Sequence, residues 1–138
     1  MALKVLLDTS MLIGSLKLRK DPFREIENLL LRRVSFIVIE SIIEELKRFK
    51  DGRKGPFRES ALILELLEKK GCEVLSDRKH RARGIPVDAV LLKTAQEIKA
   101  AIATMDESLR REARSLRIPV ISMRSNRFYC DPPDPEFW

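Results

Sequence analysis

Short apolar runs alternate with amphipathic stretches along the whole of this 138-residue chain, and that alternation leaves few architectures open. Residues 4–7, 35–39, 72–75, 100–104 and 119–122 read as strands, rich in β-branched or small apolar side chains. Between them lie helix patterns. The first covers Ser10 to Leu18. The second opens at Asp21-Pro22 and carries Phe23, Ile26, Leu29, Leu30 and Val34 at helical spacing. A capping box, Ser41-x-x-Glu44, opens a third that runs to about Phe49. The fourth covers Phe57 to Lys70 and is closed by Gly71, and a fifth follows Pro86 with Val87, Val90, Leu91, Ala95 and Ile98 on one face. The last covers Glu107 to Leu116, while Asp77 to Gly84 reads as a polar, cationic loop. The pattern predicts an α/β fold with a mainly parallel central sheet flanked by helices. One domain is expected over residues 1–124. Residues 125–138, with three prolines and four of the eight aromatic residues, are expected to form an irregular tail docked on that domain or on a partner subunit.

Several functional classes fall away on composition. No apolar run approaches the ~18 to 20 residues that cross a bilayer, and the N-terminal MALKVLLDTSMLIGSL has an Asp in its middle, so it reads as a strand and not as a leader. Cys72 and Cys130 form no CxxC pair, and His80, the single histidine, cannot complete a zinc site with them. Both thiols read as buried and inert, and a cytoplasmic location is the default expectation. Lys plus Arg number 27 against 21 Asp plus Glu, for a net charge of +6. Such a balance suits a polyanionic partner, although a charged, solvated surface explains much of it.

Four acids share one structural address. Asp8 and Asp106 each follow a strand, Glu45 lies early in the helix after the second strand, and Asp88 lies in the first turn of the helix opened by Pro86. In open parallel sheets, ligands bind beyond the carboxyl ends of the strands. Taken singly, Asp8 and Asp106 are equally readable as helix caps, and Asp88 as an acid at a helix N-terminus. Together they make a rim of like charges that a cation would hold. At 100° per residue, Ile42, Ile43, Leu46 and Phe49 set the apolar face of the third helix. Glu45 borders it and Glu44 points away, so Glu45 is the expected site residue. Oxygen donors without His or Cys suit Mg²⁺ or Mn²⁺. The hydroxyls of Thr9 and Ser10 suit either a bound water or phosphate oxygen, or the cap of the following helix.

The segments VLLDTSMLI, SIIEELKRF, PVDAVLLKTA and IATMDESLRREARSLRIPVISMR resemble the PIN-domain ribonucleases over roughly Lys4 to Arg124. The last block, a Thr-x-Asp after a small-residue strand followed by a basic helix and IPVI, is similar to archaeal PIN proteins grouped with VapC-type toxins and with ribosomal-RNA-processing endonucleases. The resemblance implies a Rossmann-like sheet and Mg²⁺- or Mn²⁺-dependent RNA cleavage. It carries the family's acids onto Asp8, Glu45, Asp88 and Asp106 as catalytic and metal-binding residues, with Ser10 in support; Thr9 and Thr104 are further expected supporting hydroxyls. Met105 and Ala89 stand where some relatives have further polar groups. Expected partners are RNA, a second copy of the chain, and an antitoxin or ribosome-assembly factors.

Cations occur in runs. Lys47, Arg48, Lys50, Arg53, Lys54 and Arg58 form the first, and Arg78, Lys79, Arg81 and Arg83 the second. Both sit beside the loops near Glu45 and Asp88, where they are expected to guide phosphates. A third run, Arg110, Arg111, Arg114 and Arg117, reads as solvated surface, and His80 as an exposed loop residue. Two other functions compete with the nuclease: a PIN-like RNA- or protein-binding module of weak catalysis acting in ribosome assembly, and a phosphoacceptor receiver domain. The second lacks its acidic pair after the first strand and a Lys after the last.

Overall fold

Val5, Leu6 and Leu7 are fully buried, as a central parallel strand covered on both faces requires, and they anchor β1 (Leu3–Leu7). The computed structural model describes residues 2–52, 55–135 and 138. After β1 the chain forms α1 (Thr9–Lys17), α2 (Pro22–Leu30), β2 (Val34–Ile39), α3 (Glu40–Asp51), α4 (Phe57–Lys70) and β3 (Glu73–Leu75). It continues through α5 (Arg78–Ala82), α6 (Val87–Ile98), β4 (Ala101–Ala103), α7 (Glu107–Ser115), β5 (Val120–Arg124) and β6 (Arg127–Asp131). The strands lie in the order β3-β2-β1-β4-β5-β6, parallel except for β6. The order reverses between β1 and β4, so the carboxyl ends of these two strands open a crevice where ligands of such sheets bind. No helix among the described residues is long and apolar enough to cross a membrane.

The sheet is sealed by side chains such as Phe23, which meets Phe36 edge to face at 5.0 Å, and by Ile42, Leu46, Ile63 and Leu91 from the flanking helices. Asp21 caps α2 as expected, accepting hydrogen bonds from the Phe23 and Arg24 amides at 2.9 and 3.3 Å, but Val34 belongs to β2 and not to that helix. Gly71 ends α4 in the left-handed conformation that glycine adopts most easily. Gly14, inside α1, has a different justification. A methyl group there would run into the Met105 side chain, so glycine allows α1 to approach the loop after β4.

Further expectations need correction. The capping box does not form: the N-cap is Ile39, two residues before Ser41, and the Ser41 amide and hydroxyl are both given to Asp77. The cationic loop contains a short helix, α5, in which His80 is half-buried. The tail is not irregular throughout, because β6 pairs antiparallel with β5 from Val120–Asp131 to Arg124–Arg127. Phe128, Cys130 and Trp138 pack against the core. The third cationic run partly secures this strand: Arg110 donates to the Tyr129 hydroxyl at 2.7 Å, and Arg114 pairs with Asp131 at 2.9 Å. Cys72 and Cys130 are half-buried free thiols, and burial pushes Cys72 up to about 11, which keeps it protonated and unreactive.

Candidate active-site cleft

Where β1 and β4 end, short turns lead into helices, and these turns carry the polar residues Asp8, Thr104 and Asp106. Asp8 stands between β1 and α1 and is only 8% exposed. Its Oδ2 accepts hydrogen bonds from the Ser10 hydroxyl and the Thr104 hydroxyl, both at 2.7 Å. Among the described residues nothing bonds Oδ1. Ser10 Oγ in turn accepts from the Met105 amide at 2.9 Å, and Thr104 Oγ1 from the Asp106 amide at 3.0 Å. This network stitches the end of β1 to the end of β4 and fixes the rotamer of Asp8. Asp106 caps α7 through Oδ1, which accepts from the Leu109 amide at 3.0 Å, so one carboxylate oxygen is used structurally.

An open cleft of about 500 Å³ is lined by Asp8, Thr9, Ser10, Glu45, Asp88 and Asp106, bringing together the four acids singled out in the sequence. Glu44 is absent from it and pairs instead with Arg81, as the helical geometry of α3 required. Asp88 reports the crowding electrostatically. Desolvation, then the negative charges of Asp8, Asp106, Glu112 and Glu45, push its carboxyl above the ordinary range.

A family model described as a PIN-like domain matches residues 5–126. The chain belongs to the PIN-like domain family. Its fold is similar to the structure of the PIN domain endonuclease Utp24, with a TM-score of 0.75, 18% identity, and coverage of 93% of this chain and 90% of that one. It is also similar to a domain of a functionally unknown protein from Methanocaldococcus jannaschii, with a TM-score of 0.64, 19% identity, and coverage of 90% and 93%. No match was found among curated protein sequences.

The donor chemistry of this PIN-like domain fits a hard divalent ion: oxygen atoms from separate elements, mutually repelling, in one cleft. Among the described residues no three Asp, Glu, His or Cys side chains already close around one point. An ion there would therefore keep several waters, as Mg²⁺ does. In the metal-free protein, Asp88→Asn is expected to raise stability by up to about 1 kcal/mol, the scale of partly exposed charge pairs. Because the folded pKa of Asp88 is raised, the penalty is fully present above that value. It is relieved as pH falls through it towards the unfolded pKa, so the gain seen in urea melts should shrink on acidification.

The cations are arranged differently from the sequence expectation. Arg81 is engaged within the protein: its guanidinium bridges Glu40 at 2.7 Å and Glu44, and its Nε lies 3.5 Å from Asp77. Lys47 and Lys50 border a separate cavity between α3 and α4. Arg48, Arg78, Lys79 and Arg83 are exposed, whereas Arg53 and Lys54 lie outside the described residues. Among the described residues the cation that lines the acidic cleft is Lys17, which sequence reasoning missed. The signal was present, since Ser10, Ile13, Gly14 and Lys17 follow the i, i+3, i+4, i+7 rule and share one face of α1. Glu112, close enough to act on Asp88, was also missed. It lies six residues beyond Asp106, a spacing that no helix-face argument selects.

Proposed function

We propose that this PIN-like domain is a metal-dependent endoribonuclease. The observation that carries this reading is the single cleft at the β1/β4 crevice that collects Asp8, Glu45, Asp88 and Asp106 without any His or Cys. The resemblance of the sequence motifs to PIN ribonucleases supplies RNA as the substrate class, in the setting of a VapC-like toxin or an RNA-processing enzyme. Asp8, Asp88 and Asp106 would hold Mg²⁺ or Mn²⁺, with Glu45 completing the site or orienting a water. The bound ion would supply charge stabilisation at the phosphate and acidify an attacking water. Ser10 and Thr104 hold Asp8 in place through their hydroxyls, and Thr9, which lines the cleft, would meet a phosphate oxygen. Lys17, on the cleft wall, would offer a positive charge to an incoming phosphodiester.

The looseness of the acid set favours one competing reading, an RNA- or protein-binding module of weak catalysis. Adding Mn²⁺ to EDTA-treated protein with structured RNA separates the two. Metal-restored cleavage is the expected result, and RNA binding indifferent to metal with no cleavage would favour the module.

A further inference from the structure

The strands that gather their carboxyl ends at the acidic cleft gather their amino ends at the opposite pole, where a second cavity of about 520 Å³ lies. That size is typical of small-ligand sites. Small side chains such as Ala95 and Ala100 leave the space, and the wall is mainly apolar, with Trp138 forming part of it. The indole is held by its polar edge, Nε1–H donating to the Pro132 carbonyl at 3.1 Å. Lys4, Lys99 and Arg117 line the same cavity, and no acid among the described residues does. None of these three cations takes part in an ion pair among the described residues.

We propose that this cavity is a second RNA-contact site, which takes a nucleotide of the single strand away from the cut, an inference that rests on the nuclease reading for the identity of the polymer. The base packs on Trp138 and the apolar wall, and neighbouring phosphates meet Lys4, Lys99 and Arg117. An acidic peptide would engage the cations but meets the indole with a planar group only where it happens to carry an aromatic side chain, whereas every nucleotide brings both a phosphate and a planar base. The two sites are separated by about the length of β1, roughly 17 Å for five residues at ~3.4 Å each. Long substrates therefore engage both poles and short ones only the cleft.

Trp138 is the only tryptophan of the chain, so its fluorescence reads this cavity directly. The full chain in EDTA is titrated with a single-stranded oligoribonucleotide long enough to reach both poles. The expected result is saturable quenching whose affinity falls with salt. The triple variant Lys4→Gln, Lys99→Gln, Arg117→Gln should flatten the log–log salt slope by about 2, at ~0.7 per phosphate contact. Trp138→Ala, read by anisotropy of a labelled RNA and checked for folding by circular dichroism, should weaken binding roughly 5- to 100-fold. Absence of quenching at saturating RNA, or an unchanged salt slope in the triple variant, overturns the proposal. Equal affinity for a free nucleoside monophosphate, or quenching by an acidic peptide and not by RNA, also overturns it. Metal-dependent cleavage without quenching would remove this inference alone. Quenching in EDTA together with no cleavage once Mn²⁺ replaces the EDTA would remove the nuclease reading and leave an RNA site.

Discussion

Asp8→Asn is expected to abolish RNA cleavage while leaving the fold intact, the largest functional effect of any single substitution in the cleft. Asparagine keeps the shape, and its carbonyl oxygen can accept the two hydrogen bonds, each 2.7 Å long, that Ser10 and Thr104 now give to Oδ2. The lost quantity is the charge on a side chain only 8% exposed, beside the acids that would share an ion. Metal-based charge stabilisation is worth several kcal/mol, so the rate should fall by about a thousandfold or more. Single-turnover cleavage with saturating Mn²⁺ measures it, and the far-ultraviolet spectrum and urea midpoint should remain near wild type. Asp8→Ala is the contrasting variant. It orphans two hydroxyls in the network and should lose about 1–3 kcal/mol of stability as well as activity. A rate for Asp8→Asn within a few-fold of wild type would remove the carboxylate from the mechanism.

The acids were readable from the sequence because each follows or opens an element with a strong local signature, and parallel strands carry such residues to one edge. The choice of Glu45 over Glu44 needed only the angular position of four apolar residues on α3. What misled the reading was polar chemistry that closes over long sequence distances. Ser41 and Glu44 satisfy the capping-box pattern, yet their partners are Asp77 and Arg81, 36 and 37 residues away. Likewise, Arg81 sits in a cationic run that suggests RNA, but its neighbours in space are three carboxylates. The tail failed for a different reason. Its prolines begin at Pro132, beyond β6, and the hairpin signal was the Ser125-Asn126 pair. Both residues take positive φ, 50° and 63°, as a two-residue type I′ turn requires, and Asn is among the residues that accept it. Glycine would have made that turn visible.

The same long-range cluster supports the second large effect, this time on stability. Asp77→Ala is expected to destabilise the protein by about 3 kcal/mol. The Asp77 side chain is almost wholly buried, with 2% residue exposure, and it accepts from both the Ser41 amide and the Ser41 hydroxyl in the first turn of α3. Removing it leaves a helix-start amide and a hydroxyl without acceptors in the interior, and takes from Arg81 the carboxylate that lies nearest its buried Nε. Hydrogen bonds to a charged acceptor contribute about 1.5–3 kcal/mol each, so two of them set the scale. Urea unfolding followed by circular dichroism should show the midpoint fall with an unchanged slope, since the surface exposed on unfolding stays the same. Asp77→Asn retains one carbonyl acceptor for Ser41 and should lose less than the alanine variant. The effect reaches the cleft through geometry: the cluster ties α3, which carries Glu45, to α5, which leads into the Pro86 turn and Asp88. Under conditions where the alanine variant is still folded, cleavage should therefore fall as well, because the two acids lose their common brace. A midpoint matching wild type would show that Asp77 does not hold these elements together.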